Sequence, residues 1–88
     1  MRFRFHMNGQ VIEELCSERR MHLDEAARWF AGQLSAERLA ELLALARADE
    51  VQLTASAFGL ENIPFDQSST VRLLELALGT FQRAGAAS

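Results

Sequence analysis

The first residues of the chain alternate in character. Arg2, Arg4 and His6 fall on one side, and Phe3, Phe5 and Met7 on the other. A period of two with two aromatics predicts a half-buried strand over 2–7. Asn8-Gly9 follows, a dipeptide that favours a turn. Residues 10–19 admit two readings. As a hairpin across a two-residue loop, Arg4 would face Glu13, but Phe3 would face Glu14 on the buried side. As a helix, Val11, Ile12, Leu15 and Cys16 share one stripe, and Glu13, Glu14, Ser17 and Glu18 share the other. The helix sorts polar from apolar without conflict and is preferred; the hairpin stays open as the alternative.

Downstream the spacing is helical. Leu23, Ala27, Phe30 and Leu34 recur at i, i+4 and i+7, with Asp24 as the expected N-cap and Gly32 as the stop. Ser35 caps a second helix reaching about Ala48, with Leu39, Leu42, Leu43 and Ala46 on one stripe and Leu45 well off it. Val51, Leu53 and Ala55 alternate, which allows a short second strand near 51–55. Gly59 to Asp66 holds the single proline, Pro64, and reads as a loop with Leu60, Ile63 and Phe65 tucked down as plugs.

The last helix is expected from Ser68 or Ser69 to Phe81–Arg83. Its Val71, Leu73, Leu74, Leu76, Ala77, Leu78 and Phe81 cover an arc of roughly 220° at about 100° per residue. A surface helix needs an apolar arc of about 100° or slightly more. The surplus predicts a second subunit or a partner over this helix. The expected fold is therefore mainly α. It has about four short helices with an N-terminal β-strand, in one domain over 1–88 with a frayed tail at 83–88, assembled as a homodimer.

Composition agrees with helix. The chain has 14 Ala and 13 Leu against eight Val, Ile and Thr together. At 49% apolar it has too much hydrophobicity for a disordered chain. Nine Arg and no Lys read as the coding bias of a GC-rich, bacterial-type genome. They exclude a P-loop lysine and a Schiff-base lysine. The net charge of −3 lacks the basic footprint of a nucleic-acid binder. Seven Arg balance seven acids over 1–47, while two Arg face five acids over 48–88. Cys16 is alone, so no internal disulfide can form. No apolar run approaches the ~20 residues of a membrane span, and the start lacks the apolar block of a signal peptide. A cytoplasmic location without membrane contact is expected.

Little chemistry is on offer. His6, Cys16 and His22 are the only soft metal ligands and lack paired spacing. No metal, cofactor or catalytic residue is expected. The adjacent acids Glu13–Glu14, Asp24–Glu25 and Asp49–Glu50 do not face one another on a helix. Ser68-Ser69-Thr70 is read as a helix cap. The sequence thus points to a non-catalytic regulatory or adaptor protein that associates through helical apolar surface, with itself and another protein as partners. Trp29, Leu45, Leu73 and Leu76 are the candidate contact residues.

A strand with polar side chains, then a helix, then a capped second helix over 2–33 resembles the ribbon-helix-helix DNA-binding proteins. That resemblance implies a ribbon paired between two subunits in the major groove. Arg2, Arg4 and His6 would then read bases, and His22 to Glu25 would approach phosphates. A DNA-binding repressor or antitoxin is the alternative function.

Overall fold

The structure, a computed structural model, describes the backbone of residues 1–87 and the side chains of residues 1–81. Seven elements follow one another: β1 (Arg2–Met7), β2 (Gln10–Cys16), α1 (Leu23–Gln33), α2 (Ala36–Arg47), β3 (Gln52–Ala57), β4 (Leu60–Pro64) and α3 (Gln67–Ala87). The strands form one antiparallel sheet in the order β2-β1-β3-β4. The fold is α+β, which corrects the expectation of a mainly α chain with four helices.

The preferred helix over 10–19 is instead β2, and a single inserted residue explains why. The pairing runs Met7↔Gln10 and His6↔Val11, then slips, so that Phe5 faces Glu13, Arg4 faces Glu14 and Phe3 faces Leu15. Ile12 is the extra residue of a β-bulge, which moves everything beyond it by one position. The slip removes the clash of Phe3 with Glu14 that had favoured the helix. Glu13 still lands on the helix-bearing side, where Arg38 of α2 meets it (Nε to Oε1, 2.9 Å).

Residues 59–66, expected as a loop, contain β4. Phe58 and Gly59 have φ of 52° and 80°, close to the 53° and 78° of Asn8 and Gly9. Two successive positive φ values make the hairpin turn whose twist suits its strands. The helix starts also move. His22, not Asp24, is the N-cap of α1, and its side chain makes no capping bond. Ser35 caps α2 as expected, accepting from the Arg38 amide. Asp66 opens α3 ahead of the serines, accepting the Ser69 amide at 2.7 Å. The expected frayed tail, 83–88, lies outside the residues with described side chains.

The core lies between one face of the sheet and the helices. Phe3, Phe5, Leu15, Leu53 and Ala55 are buried on the inner face. Phe30 of α1 meets Phe3 edge-on at 5.0 Å and Phe5 at 6.0 Å. Each buried aromatic contributes about 1.5–3 kcal/mol by leaving water. Helix α3 packs against both α1 and α2 and touches β3, and Leu73, Leu74 and Ala77 have no exposed surface.

The two hairpins share one plan. Strand starts, turns and bulges recur at a constant offset of 50 positions, from Gly9 to Gly59. The central pairing of β1 with β3 runs from Arg2↔Ser56 to His6↔Gln52 and is centred on Arg4↔Thr54. A pseudo-two-fold axis therefore passes through that pair and exchanges the hairpins. Between residues 2–16 and 52–66 only the turn glycine is shared. This is why no repeat is visible in the sequence.

Candidate functional site

The outer face of the sheet carries the three residues expected to read bases. Arg2, Arg4 and His6 do project together from β1, but the sheet itself engages two of them. Arg4 Nε donates to Glu14 Oε2 at 2.7 Å. That hydrogen bond outweighs an opposing desolvation and, with the charges of Arg4 and Arg2, holds the Glu14 carboxyl below the usual carboxylate range. His6 Nε2 lies 2.9 Å from Thr54 Oγ1. Moreover, β1 is paired on both sides, by β2 and β3. It has no free edge with which to build a ribbon across two subunits.

A cleft of mixed polarity and about 790 Å³ opens beside the His6–Thr54 pair, between the Asn8-Gly9 turn, Asp49–Gln52 and the start of α3. A histidine beside a hydroxyl is the beginning of a nucleophile–base pair, which needs a third group to orient the base. Among the described residues no carboxylate hydrogen-bonds the His6 ring, and no cluster of His, Cys, Asp and Glu suits a metal ion. Cys16, expected on a buried helical stripe, is exposed on β2.

The four candidate contact residues lie elsewhere. Leu73 is fully enclosed by its own chain, and Trp29, Leu45 and Leu76 are half-buried against the core. Trp29 packs its ring on Phe3 and Phe30, with centroids at 6.0 and 5.7 Å. The wide apolar arc of α3 is covered from two sides by α1 and α2. Most of the surplus that argued for a second subunit is used inside the molecule, with Val71, Leu76 and Leu78 half-buried and Phe81 exposed.

Exposed apolar surface gathers instead on the second hairpin. Phe58 is 80% exposed, Leu60 61% and Ile63 43%. Ile63 stands opposite Ala55, and Leu60 opposite Ala57, so both face the helix-bearing side of the sheet. With Met1, Phe65 and Arg20 they line an apolar groove of about 360 Å³. The Arg20 guanidinium carbon sits 5.7 Å from the Phe58 ring centroid, within cation–π range. All five residues of β4 are exposed.

The sequence reading missed Phe58 and expected Leu60 and Ile63 to be buried. The signal was a residue-glycine pair between two short segments, the same device as Asn8-Gly9. It was obscured because the residue is Phe, which is rarely found where φ is positive.

Among the described residues no helix is long and apolar enough to cross a membrane. Comparison with protein-family models, curated proteins and solved structures finds no match for this chain.

Proposed function

We propose that this is a non-catalytic regulatory or adaptor protein of the cytoplasm that works by associating with another protein, and that the second hairpin carries the contact. One observation carries the reading. Phe58 carries a bulky aromatic ring at φ 52° and is 80% exposed. The backbone disfavours the residue there, since a left-handed conformation costs an ordinary L-residue roughly 1–2 kcal/mol. The solvent disfavours it too, because a Phe ring gains about 1.5–3 kcal/mol when buried. The equivalent turn in the same molecule uses Asn8, which suits that backbone. A residue strained in the free protein and useful only when covered is the mark of a contact site. Leu60 and Ile63 extend the same apolar surface.

Phe58→Asn tests the reading because it improves the turn while removing the ring. Tagged wild-type and Phe58→Asn proteins are purified from the native host under matched conditions, and the bound proteins are compared by mass spectrometry. At least one protein is expected on the wild type and absent from the variant. Identical profiles would refute the proposal.

A further inference from the structure

The groove on the second hairpin is selective about what can fill it, and its selectivity identifies the partner's chemistry. Resting on the association reading above, we infer that the occupant is an amphipathic helix of another protein, presenting an apolar stripe to Phe58, Leu60 and Ile63 and a carboxylate to Arg20.

Two modes compete for a site at a sheet edge: an added strand, and a helix laid in a groove. An added strand draws its affinity from backbone hydrogen bonds, and the free edge of β4 is poor in donors. Phe65 donates its amide inward to the Leu53 carbonyl. The alternation of a strand then turns Pro64 outward, and proline has no amide proton. The Asn62 amide is already given to Ser56 Oγ at 2.9 Å, and Asn62 itself lies in the left-handed region at φ 50°. The bulge twists this edge and breaks its repeat. A helix needs none of these donors, because its own backbone is satisfied internally. It needs an apolar surface, which the groove supplies.

Charge adds the second requirement. Arg20 stands over Phe58 at the groove. It makes no salt bridge among the described residues, whereas Arg4, Arg19, Arg38 and Arg47 each have a carboxylate partner. Among the described residues no acid lines the groove. An apolar surface with one free cation favours a partner whose apolar stripe is flanked by Asp or Glu. The pseudo-two-fold points the same way. At the equivalent first-half edge a helix already reaches across: Arg38 of α2 donates to the Ile12 carbonyl at 2.9 Å and to Glu13. Among the described residues no helical side chain makes such a bond to β4. The position filled from within in one half is open in the other.

The experiment uses the whole chain as bait for two displayed peptide libraries, one of binary-patterned 16-residue helices and one of extended, alternating segments. The helix library is expected to yield binders with apolar residues at i, i+3, i+4 and i+7 and a net negative charge. Their affinity for Phe58→Asn and for Arg20→Glu should fall on the order of tenfold. A peptide with its flanking Glu changed to Lys should recover binding to Arg20→Glu. Circular dichroism confirms that both variants fold, as their exposed positions lead one to expect. Winners from the extended library alone, basic winners, winners indifferent to Arg20→Glu, or no winners would each overturn the inference. So would a dimer in sedimentation that Phe58→Asn dissolves, since the occupant would then be a second copy. The two levels separate cleanly: host proteins lost on Phe58→Asn would sustain the association reading even where the helix library fails.

Discussion

The two hairpins share one geometry and divide the labour of the molecule. Both turn on a residue-glycine pair with positive φ, and both carry an extra residue in the second strand. The first hairpin is built for stability. Its turn residue is Asn8, its inner face holds Phe3, Phe5 and Leu15, and its outer edge is tied to α2 by Arg38. The second hairpin keeps the backbone and discards those features. Its turn residue is Phe58, its last strand is wholly exposed, and Phe58, Leu60 and Ile63 face water while Leu53 and Ala55 of β3 stay in the core. A scaffold duplicated in geometry can hold its fold with one copy and present a surface with the other, because the shared central strands β1 and β3 keep the second copy in register.

The largest expected effect separates the halves by core substitution. Phe30 is fully buried and contacts both Phe3 and Phe5. Phe30→Ala is expected to destabilise by about 3–5 kcal/mol, since it removes a buried ring and leaves a cavity. Leu60→Ala, on the exposed hairpin, should change stability by less than ~0.5 kcal/mol. Urea titration of both variants measures the contrast. A loss on Leu60→Ala comparable to that on Phe30→Ala would show that the second hairpin is structural after all.

A smaller effect tests the tie between α2 and the first hairpin. Arg38 binds the Glu13 carboxylate and the Ile12 carbonyl together, in a partly buried position. Arg38→Ala strands both acceptors, which is expected to cost roughly 1–3 kcal/mol. Its 3.4 Å contact with exposed Glu41 adds little. The same substitution should speed hydrogen exchange along β2 more than along β3. Equal acceleration in both strands would mean that Arg38 stabilises the molecule generally and does not guard this edge.

That contrast also explains what was legible in the sequence. Strand β1, the Ser35 cap and helix α2 were readable because local pattern and local structure agree there. Strand β2 was not, because its register depends on a bulge at Ile12 and on an arginine 25 residues from Glu13 that accommodates it on the inner side. Those are tertiary facts that no short window contains. Strand β4 failed for a different reason: its pattern is broken by Asn62 and Pro64, and its apolar residues are exposed, so burial logic misplaces them. The greasy circumference of α3 was correctly seen, but the cover was supplied by α1 and α2 of the same chain. The candidate site lay where the local rules fail, at a Phe in a turn that calls for Asn.

A third test exchanges the two turns. Asn8→Phe places at the first turn the strain now carried by the second, and should destabilise by about 1–2 kcal/mol. Phe58→Asn should stabilise by a similar or smaller amount, about 0.5–1 kcal/mol, because its native conformation suits the new residue. Thermal unfolding of each variant gives the sign. If Phe58→Asn lowers the melting temperature, the ring supports the free protein and does not await a partner.

The smallest effect concerns the two helix entries, which differ as the hairpins do. Helix α1 begins at His22 with no side-chain cap, whereas Asp66 caps α3 by accepting the Ser69 amide and the Ser68 hydroxyl. The Ser69 backbone hydrogen bond, reinforced by those serine side chains, holds the Asp66 carboxyl below its ordinary value of 3.8. A carboxyl with a lowered value in the folded state prefers that state when ionised. Its contribution is therefore complete above pH 3.8 and is lost as pH falls through the lower folded value. Asp66→Asn keeps a capping oxygen but cannot ionise. Wild type should accordingly melt slightly above Asp66→Asn at neutral pH, and the gap should narrow on acidification below about pH 4, where carboxyls titrate. Carboxylates common to both proteins cancel in the difference, so the narrowing reports on Asp66. Because Asp66 is solvent-screened the gap is small, and differential scanning calorimetry from pH 7 to pH 2 is the suitable measurement. A gap constant over that range would mean that the α3 cap works through its oxygen alone, with no contribution from its charge.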